Sequence, residues 1–417
     1  MIVRHVILGG LVAAAFSHAA GFSADTAMAA DMPVPVLPAP AETCKAALSF
    51  PAYNGPIKAN PNQNCLTVPG FGDLYFSGAV TGYAYTQTNP FPFSPAPLPN
   101  DQRSRFDFTN LLAIVQKADG PVQFTIAAGA YAIPALGFVN YGTFDQTDLL
   151  FSPLPIAFGK VQINDNWSIQ GGRMPTLIGS EAPFTFQNMN ISRGLLFNQE
   201  NIINHGVQVN YANGPWSVSV AGTDGFYSGE ISWFTGSVSY KLDDANAFGV
   251  NGGLNLGRTD VLSRSLRYQY ATPLFQQNSG IFNVNYTYSD GPWIVTPYFQ
   301  FTNVERDPRI GILEGASTYG GAILASYAFT ENFALAGRLE YEEQSGRRGI
   351  NTASLLYGPG SSAFSVTVTP TFTVDRFFVR GEYSHVELYN ITDGLGFGRA
   401  GNRRSQERYM VEAGVTF

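Results

Sequence analysis

The chain is 417 residues long, carries a formal net charge of −7 and has only 13% charged residues, about half the ~25% of an ordinary soluble domain. The acidic balance argues against nucleic acid as a partner. Low charge with 14% aromatic residues and 44 glycines disfavours a large soluble β-sandwich and suits a wall whose apolar residues occupy alternate positions.

The first 29 residues have the form of a secretory signal peptide. Arg4 and His5 give the positive start, Val6 to Phe16 form an apolar run, and Ala27-Met28-Ala29 offers a cleavage site before Ala30. The run is shorter than the ~20 residues of a spanning helix, so the remainder is expected to be exported. Residues 30–70 form a separate lead-in that opens with proline-rich sequence, unsuited to a central strand because proline lacks the N–H. This stretch is expected on the periplasmic side, either tucked partly into a barrel mouth or acting as a linker with a clip. It holds Cys44 and Cys65, the only cysteines. In an oxidising compartment they are expected to form a disulfide, since two isolated cysteines make a poor metal site.

From Gly72 onward, short turn signals alternate with longer polar connections. The turns are Ala118-Asp119-Gly120, Asn164-Asp165-Asn166, Asn213-Gly214, Asp243-Asp244, Asp290-Gly291, Thr330-Glu331-Asn332 and the turn at Asp375. Asn-Gly and Asp-Gly favour the tight hairpin turns that antiparallel strands need. The longer connections fall near 87–104, 137–155, 176–204, 224–230, 259–278, 304–316, 345–362 and 389–404. The pattern predicts an all-β fold, a transmembrane antiparallel β-barrel of about 16 strands (roughly 14–18) with short periplasmic turns and long extracellular loops. The barrel is expected to span residues 71–417.

The strands also declare their faces. Phe282, Val284, Tyr286 and Tyr288 alternate with Asn283, Asn285, Thr287 and Ser289, while Leu335, Gly337 and Leu339 alternate with Ala336, Arg338 and Glu340. Charge on the lipid face costs about 2–4 kcal/mol at the midplane, so the charged set is expected to face inward. That set includes Arg173, Arg338 and Arg380 against Glu340, Glu342, Glu382 and Glu412. The last strand alternates Tyr409, Val411, Ala413 and Val415 and ends on Phe417. Such an ending is similar to the closing strand of outer-membrane barrels, so Phe417 is expected to act as the assembly signal.

The longest connection, residues 176–204, is the third long loop and is unusually apolar, with Phe184, Phe186, Leu195, Leu196 and Phe197. Such a surface would be poorly placed in water. The loop is expected to fold inward, as the third loop of general porins does. Glu181, Asn190, Arg193 and Glu200 would then line a constricted pore with the wall residues Arg338, Glu340, Arg380 and Glu382.

The block GRMPTLIGSEAPFTFQNMNISRGLLFNQENIINHGVQVNY, followed by GTDGFYSG, GPWIVTPYFQ, STYGGA and LLYGPGS, resembles the OmpL-like β-barrel porins of proteobacteria over about 72–417. The Cys44/Cys65 lead-in also resembles that of alphaproteobacterial members. The resemblance implies an outer-membrane porin and brings no catalytic residues. No cofactor or metal motif is present: His205 and His385 are the only histidines after the signal, and Ser384 and His385, adjacent on a strand, point to opposite faces. The expectation is therefore a non-enzymatic, water-filled channel in the bacterial outer membrane for passive diffusion of small hydrophilic solutes. A substrate-specific or plugged channel and a structural or adhesive surface barrel are the alternatives. Expected partners are outer-membrane lipids, the barrel assembly machinery, the solutes themselves and further copies in a homotrimer.

Overall fold

The computed structural model describes residues 46, 48–92, 101–260, 272–346 and 353–417. The signal peptide, the proline-rich start of the lead-in and Cys44 lie outside the described residues. Cys65 is not a free thiol; its pairing with Cys44 remains an expectation.

A short strand, β1 (Asn64–Val68), precedes the barrel and forms a hairpin with β2 (Gly72–Gln87). The chain continues through β3 (Ser104–Lys117), β4 (Val122–Tyr131), β5 (Ile156–Gln162), β6 (Trp167–Pro175), β7 (Ile203–Asn213), β8 (Trp216–Thr223), β9 (Trp233–Lys241) and β10 (Asn246–Asn255). It then runs through β11 (Ser279–Asp290), β12 (Trp293–Val304), β13 (Ala316–Ala328), β14 (Phe333–Gln344), β15 (Ser362–Val374), β16 (Phe377–Tyr389) and β17 (Ser405–Thr416). Each pairs antiparallel with its sequence neighbours, and β17 returns to β2 with Arg408 opposite Gln87 and Thr416 opposite Ala79. Of the seventeen strands in the sheet, β1 stands outside the ring, which leaves a closed barrel of sixteen, β2 to β17.

Closure follows from the medium. Lipid supplies no partner for a backbone N–H or C=O, so a spanning sheet must pair its first strand with its last. Phe417 completes that seam: its N–H donates to the Gly78 carbonyl at 3.1 Å and its own carbonyl accepts from Gly78 N–H at 3.0 Å. A Cβ at Gly78 would lie 2.5 Å from the Phe417 ring, so the glycine makes room for the terminal aromatic.

The seven turn signals all fall between paired strands, and the eight long connections lie at the other end of the barrel. The outer face carries exposed apolar side chains, among them Phe282, Phe299, Ile323, Leu339, Val379 and Val411, suited to acyl chains. Three tryptophans open strands directly after short turns and pack at a tilt against tyrosines of the neighbouring strand: Trp167 with Tyr211, Trp216 with Tyr240 and Trp293 with Tyr327, at 4.7, 4.5 and 4.6 Å between ring centroids. They mark the periplasmic interface, where amphipathic rings belong.

Candidate functional site: the lumen and its third loop

The inner wall divides into two unlike halves. The alternation of the strands points Gln123, Thr125, Lys160, Gln162, Gln170, Gln208, Asn210, Ser219, Ser237, Asn251, Asn285 and Thr287 inward along β4 to β12. Lys160 and Lys241 are the only charges on that inner face, and Lys241 is paired with Asp244 at 2.7 Å in the adjoining turn. The opposite half, β13 to β17 with β2 and β3, carries Arg338, Glu340, Glu342, Arg380, Glu382, Arg408 and Glu412 inward, all buried.

Arg408 is covered by the connection after β4, donating to the Ala135 carbonyl at 2.9 Å; over the others lies the connection from β6 to β7, residues 176–202. It runs inside the ring, with two short helical turns, Thr185–Gln187 and Leu196–Gln199. Phe184 and Phe186 stack on one another, 6.1 Å between centroids, and pack with Ala79, Leu112, Ile114, Ala127 and Tyr131 of the β2–β4 wall. Met189 and Leu196 pack on Tyr298, Ala322, Leu324 and Ala336 of the β12–β14 wall. The loop thus buries its apolar side chains on the inner wall, while its backbone polar groups require partners there.

The charged wall residues supply those partners. Arg338 donates to Glu181 at 2.7 Å and to the Ser192 carbonyl at 2.8 Å. Glu340 accepts from Leu195 N–H at 2.9 Å and from the Ser365 hydroxyl at 2.6 Å. Glu382 accepts from the Ile191 and Ser192 N–H groups and from Thr369. Arg380 binds Glu412 through two nitrogens at 2.8 and 2.6 Å and reaches the Thr185 and Asn188 carbonyls at 2.7 and 3.0 Å. Asn190 donates to Thr369 at 2.8 Å, and Glu181 accepts from Gly194 N–H at 2.7 Å.

All eight residues expected at a constriction are therefore brought into one region, but in the seam between loop and wall. Glu181, Asn190, Arg193, Glu200, Arg338, Glu340, Arg380 and Glu382 are each at most 6% exposed, so none presents its charge to open water. The expectation of an electrolyte-facing eyelet is corrected on this point: periodicity assigns a side chain to the inner face, and the loop then covers it. Arg193 is held by its backbone, which pairs with Pro134 and Leu136. Both Glu200 carboxylate oxygens lack a hydrogen-bond partner among the described residues. Glu200 crowds Gly179, whose φ of +90° and missing Cβ the close approach requires.

Arg173 is a second correction. It lies on the outward register of β6, opposite His205. Its Nε donates to His205 Nε2 at 3.1 Å and Nη1 donates to the Leu154 carbonyl at 2.7 Å. His205 Nδ1 in turn meets buried Asp224 at 2.8 Å. The loops after β4 and β8 shield this charge near the extracellular rim.

The described end of the lead-in also lies within the barrel. Phe50 and Ile57 are buried in the cluster that holds Phe184 and Phe186, and Tyr53 meets Phe186 at 5.9 Å. Asn54 N–H donates to the Gln187 carbonyl at 2.7 Å, Gln187 donates to the Ala52 carbonyl, and Gln116 of β3 donates to the Phe50 carbonyl at 2.7 Å. Between this segment, the foot of the loop and the β3–β7 wall lies a cavity of about 230 Å³.

With this architecture in place, residues 73–417 match the family described as "Putative beta-barrel porin-2, OmpL-like". The chain belongs to the OmpL-like β-barrel porins. It is a channel of the bacterial outer membrane for solute diffusion. No curated protein matches this porin in sequence. Among solved structures, the outer membrane channel DcaP of Acinetobacter baumannii is similar with a TM-score of 0.54 at 11% identity, over 84% of this porin and 99% of DcaP. The trimer form of in-vitro folded OmpT, an outer membrane protein of Vibrio cholerae, gives 0.52 at 11% identity over 82% and 99% of the two chains. Salmonella typhi OmpF, solved with daunomycin, gives 0.51 at 11% over 83% and 98%. At such identity the likeness is one of fold.

Sequence reasoning missed the site's neutral half. Its signal was available: β4 to β12 alternate outward apolar residues with inward Gln, Asn, Ser and Thr and almost no charge. The eye follows charges, and the charges lay elsewhere.

Proposed function

We propose that this porin admits small hydrophilic solutes passively, with the third loop and the lead-in narrowing the lumen from one side. The supporting observation is that residues 176–202 pack against two stretches of inner wall through buried apolar contacts, the Arg338–Glu181 ion pair and hydrogen bonds from Arg380 to loop carbonyls. Arg338, Glu340, Arg380 and Glu382 of the wall, with Glu181 and Asn190 of the loop, then act by holding the loop, and the amide- and hydroxyl-rich wall of β4 to β12 borders the water path. The reading is non-enzymatic: Ser384 lies buried on the inner face while His385 faces outward beside Glu387, 3.6 Å away, so no hydroxyl nucleophile meets a histidine there. A homotrimer in outer-membrane lipid, a Cys44–Cys65 bridge and recognition of Phe417 by the assembly machinery complete the proposal.

Single-channel recording in planar bilayers tests it. Replacing residues 182–198 with a short Gly-Ser linker should raise unitary conductance in a barrel that still folds. Unchanged conductance in the folded variant would refute the constriction.

A further inference from the structure

We propose that the cavity beside Lys160 is a subsite for small hydroxylated carboxylates, a solute class within the passive-channel reading, on which this inference rests. Register places Gln123 of β4, Lys160 of β5, Gln170 of β6 and Gln208 of β7 side by side. Alternation directs all four into the lumen, and side chains directly opposite one another on adjacent strands lie about 5 Å apart at Cβ. The result is one lateral row of amides with an ammonium group inside it.

The same four side chains line the cavity of about 230 Å³, together with Phe50 of the lead-in and Leu177 of the third loop. No carboxylate is among its lining residues. Lys117 also borders it but is neutralised by Asp119 at 3.2 Å. Lys160 makes no ion pair among the described residues, so the cavity carries one uncompensated positive charge. Its size is below the ~300–1,000 Å³ of drug-sized pockets, which selects a small occupant.

These features select complementary chemistry. An ammonium group with no counterion attracts an anion, and a carboxylate satisfies it with charge-assisted hydrogen bonds. Each glutamine amide offers both donors and an acceptor, the pairing a hydroxyl group needs. Phe50, Phe158 and Leu177 supply an apolar surface for the carbon skeleton. A polyhydroxylated acid uses all three, whereas a neutral polyol leaves Lys160 unanswered and a simple aliphatic acid leaves the amides unanswered. The site also depends on the lead-in, because Phe50 closes one side of it.

The test compares gluconate with sorbitol, a neutral polyol of the same carbon count, as blockers of chloride current through single channels. Gluconate should reduce the current in the wild type, and sorbitol at equal concentration should do so far less. Lys160→Gln should weaken gluconate block by about tenfold or more, as expected for loss of a charged hydrogen bond, and Lys160→Arg should restore most of it. Equal block by the two solutes, or gluconate block undiminished in Lys160→Gln, would overturn the proposal. If the wild type conducts no current, the passive-channel reading fails, and calorimetric titration of the detergent-solubilised porin with gluconate decides the subsite alone. Heat that disappears in Lys160→Gln would support it; no heat in the wild type would overturn it.

Discussion

Replacing Arg380 should release the third loop without unfolding the barrel. Arg380 is 1% exposed, binds Glu412 through two nitrogens and holds two loop carbonyls, those of Thr185 and Asn188. Arg380→Met keeps volume but leaves Glu412 buried with only the Thr109 and Thr185 hydroxyls as donors. Removing one partner of a buried pair costs about 3–5 kcal/mol. The sixteen-strand ladder is untouched, so the cost should fall on the loop–wall seam, where it raises the open fraction of the loop roughly 10²- to 5 × 10³-fold. Two assays read this. Trypsin reaches Arg193, which is 0% exposed in the closed loop, only from the open form, and when opening is fast its cleavage rate follows the open population. Single-channel traces should show larger and noisier currents. Arg380→Met with Glu412→Gln removes both charges, and protease resistance should largely return because no lone buried carboxylate remains. If Arg380→Met shows wild-type trypsin resistance and wild-type conductance, the seam does not hold the loop, and the account of the charged wall is wrong.

The lead-in should respond to Gly55→Val, because a Cβ at Gly55 would lie 2.7 Å from the Asn188 carbonyl oxygen and 2.8 Å from Met189 N. Faster chymotryptic cleavage after Tyr53 with higher conductance is expected; unchanged values of both would show that the segment is not held there. Deleting Phe417 should lower the folded fraction in the outer membrane, measured by heat-modifiable gel mobility, since the residue forms two backbone hydrogen bonds at the seam; full assembly would remove its role as a signal. In the loop after β12, hydrogen bonding from Arg309 and then from Arg258 holds the Asp307 carboxyl well below the usual carboxylate range. A depressed folded value means that its contribution is present above the unfolded value of ~3.9 and is lost as pH falls through the folded value. Carbon-detected NMR should therefore find Asp307 still ionised at about pH 3, and Arg309→Gln should raise its titration point.

Much of this molecule was legible in one dimension because lipid imposes a period-two code on every strand. Phe282 to Ser289 and Phe333 to Glu342 each declare an outer and an inner face, and the Asn-Gly and Asp-Gly turns punctuate them. The third loop was legible for a related reason: Phe184, Phe186 and Phe197 are too apolar for an extracellular surface. Arg173 was misplaced because the inward rule assumes exposure to acyl chains, whereas His205, Asp224 and loop backbone shield its position near the rim.

By itself, the sequence determined the order and approximate number of the strands, the side on which nearly every strand residue stands, Arg173 excepted, and the end at which the long loops lie. These follow from local alternation and turn chemistry, which need no distant contact. Only the tertiary structure decided which inward residues meet water. Arg338 and Lys160 obey the same alternation, yet Arg338 is sealed against Glu181 and the Ser192 carbonyl while Lys160 borders a cavity. The difference arises because the third loop, more than a hundred residues from Arg338 in sequence, seals that side chain, whereas its foot leaves a cavity beside Lys160. Strand periodicity carries no information about what crosses the space it encloses.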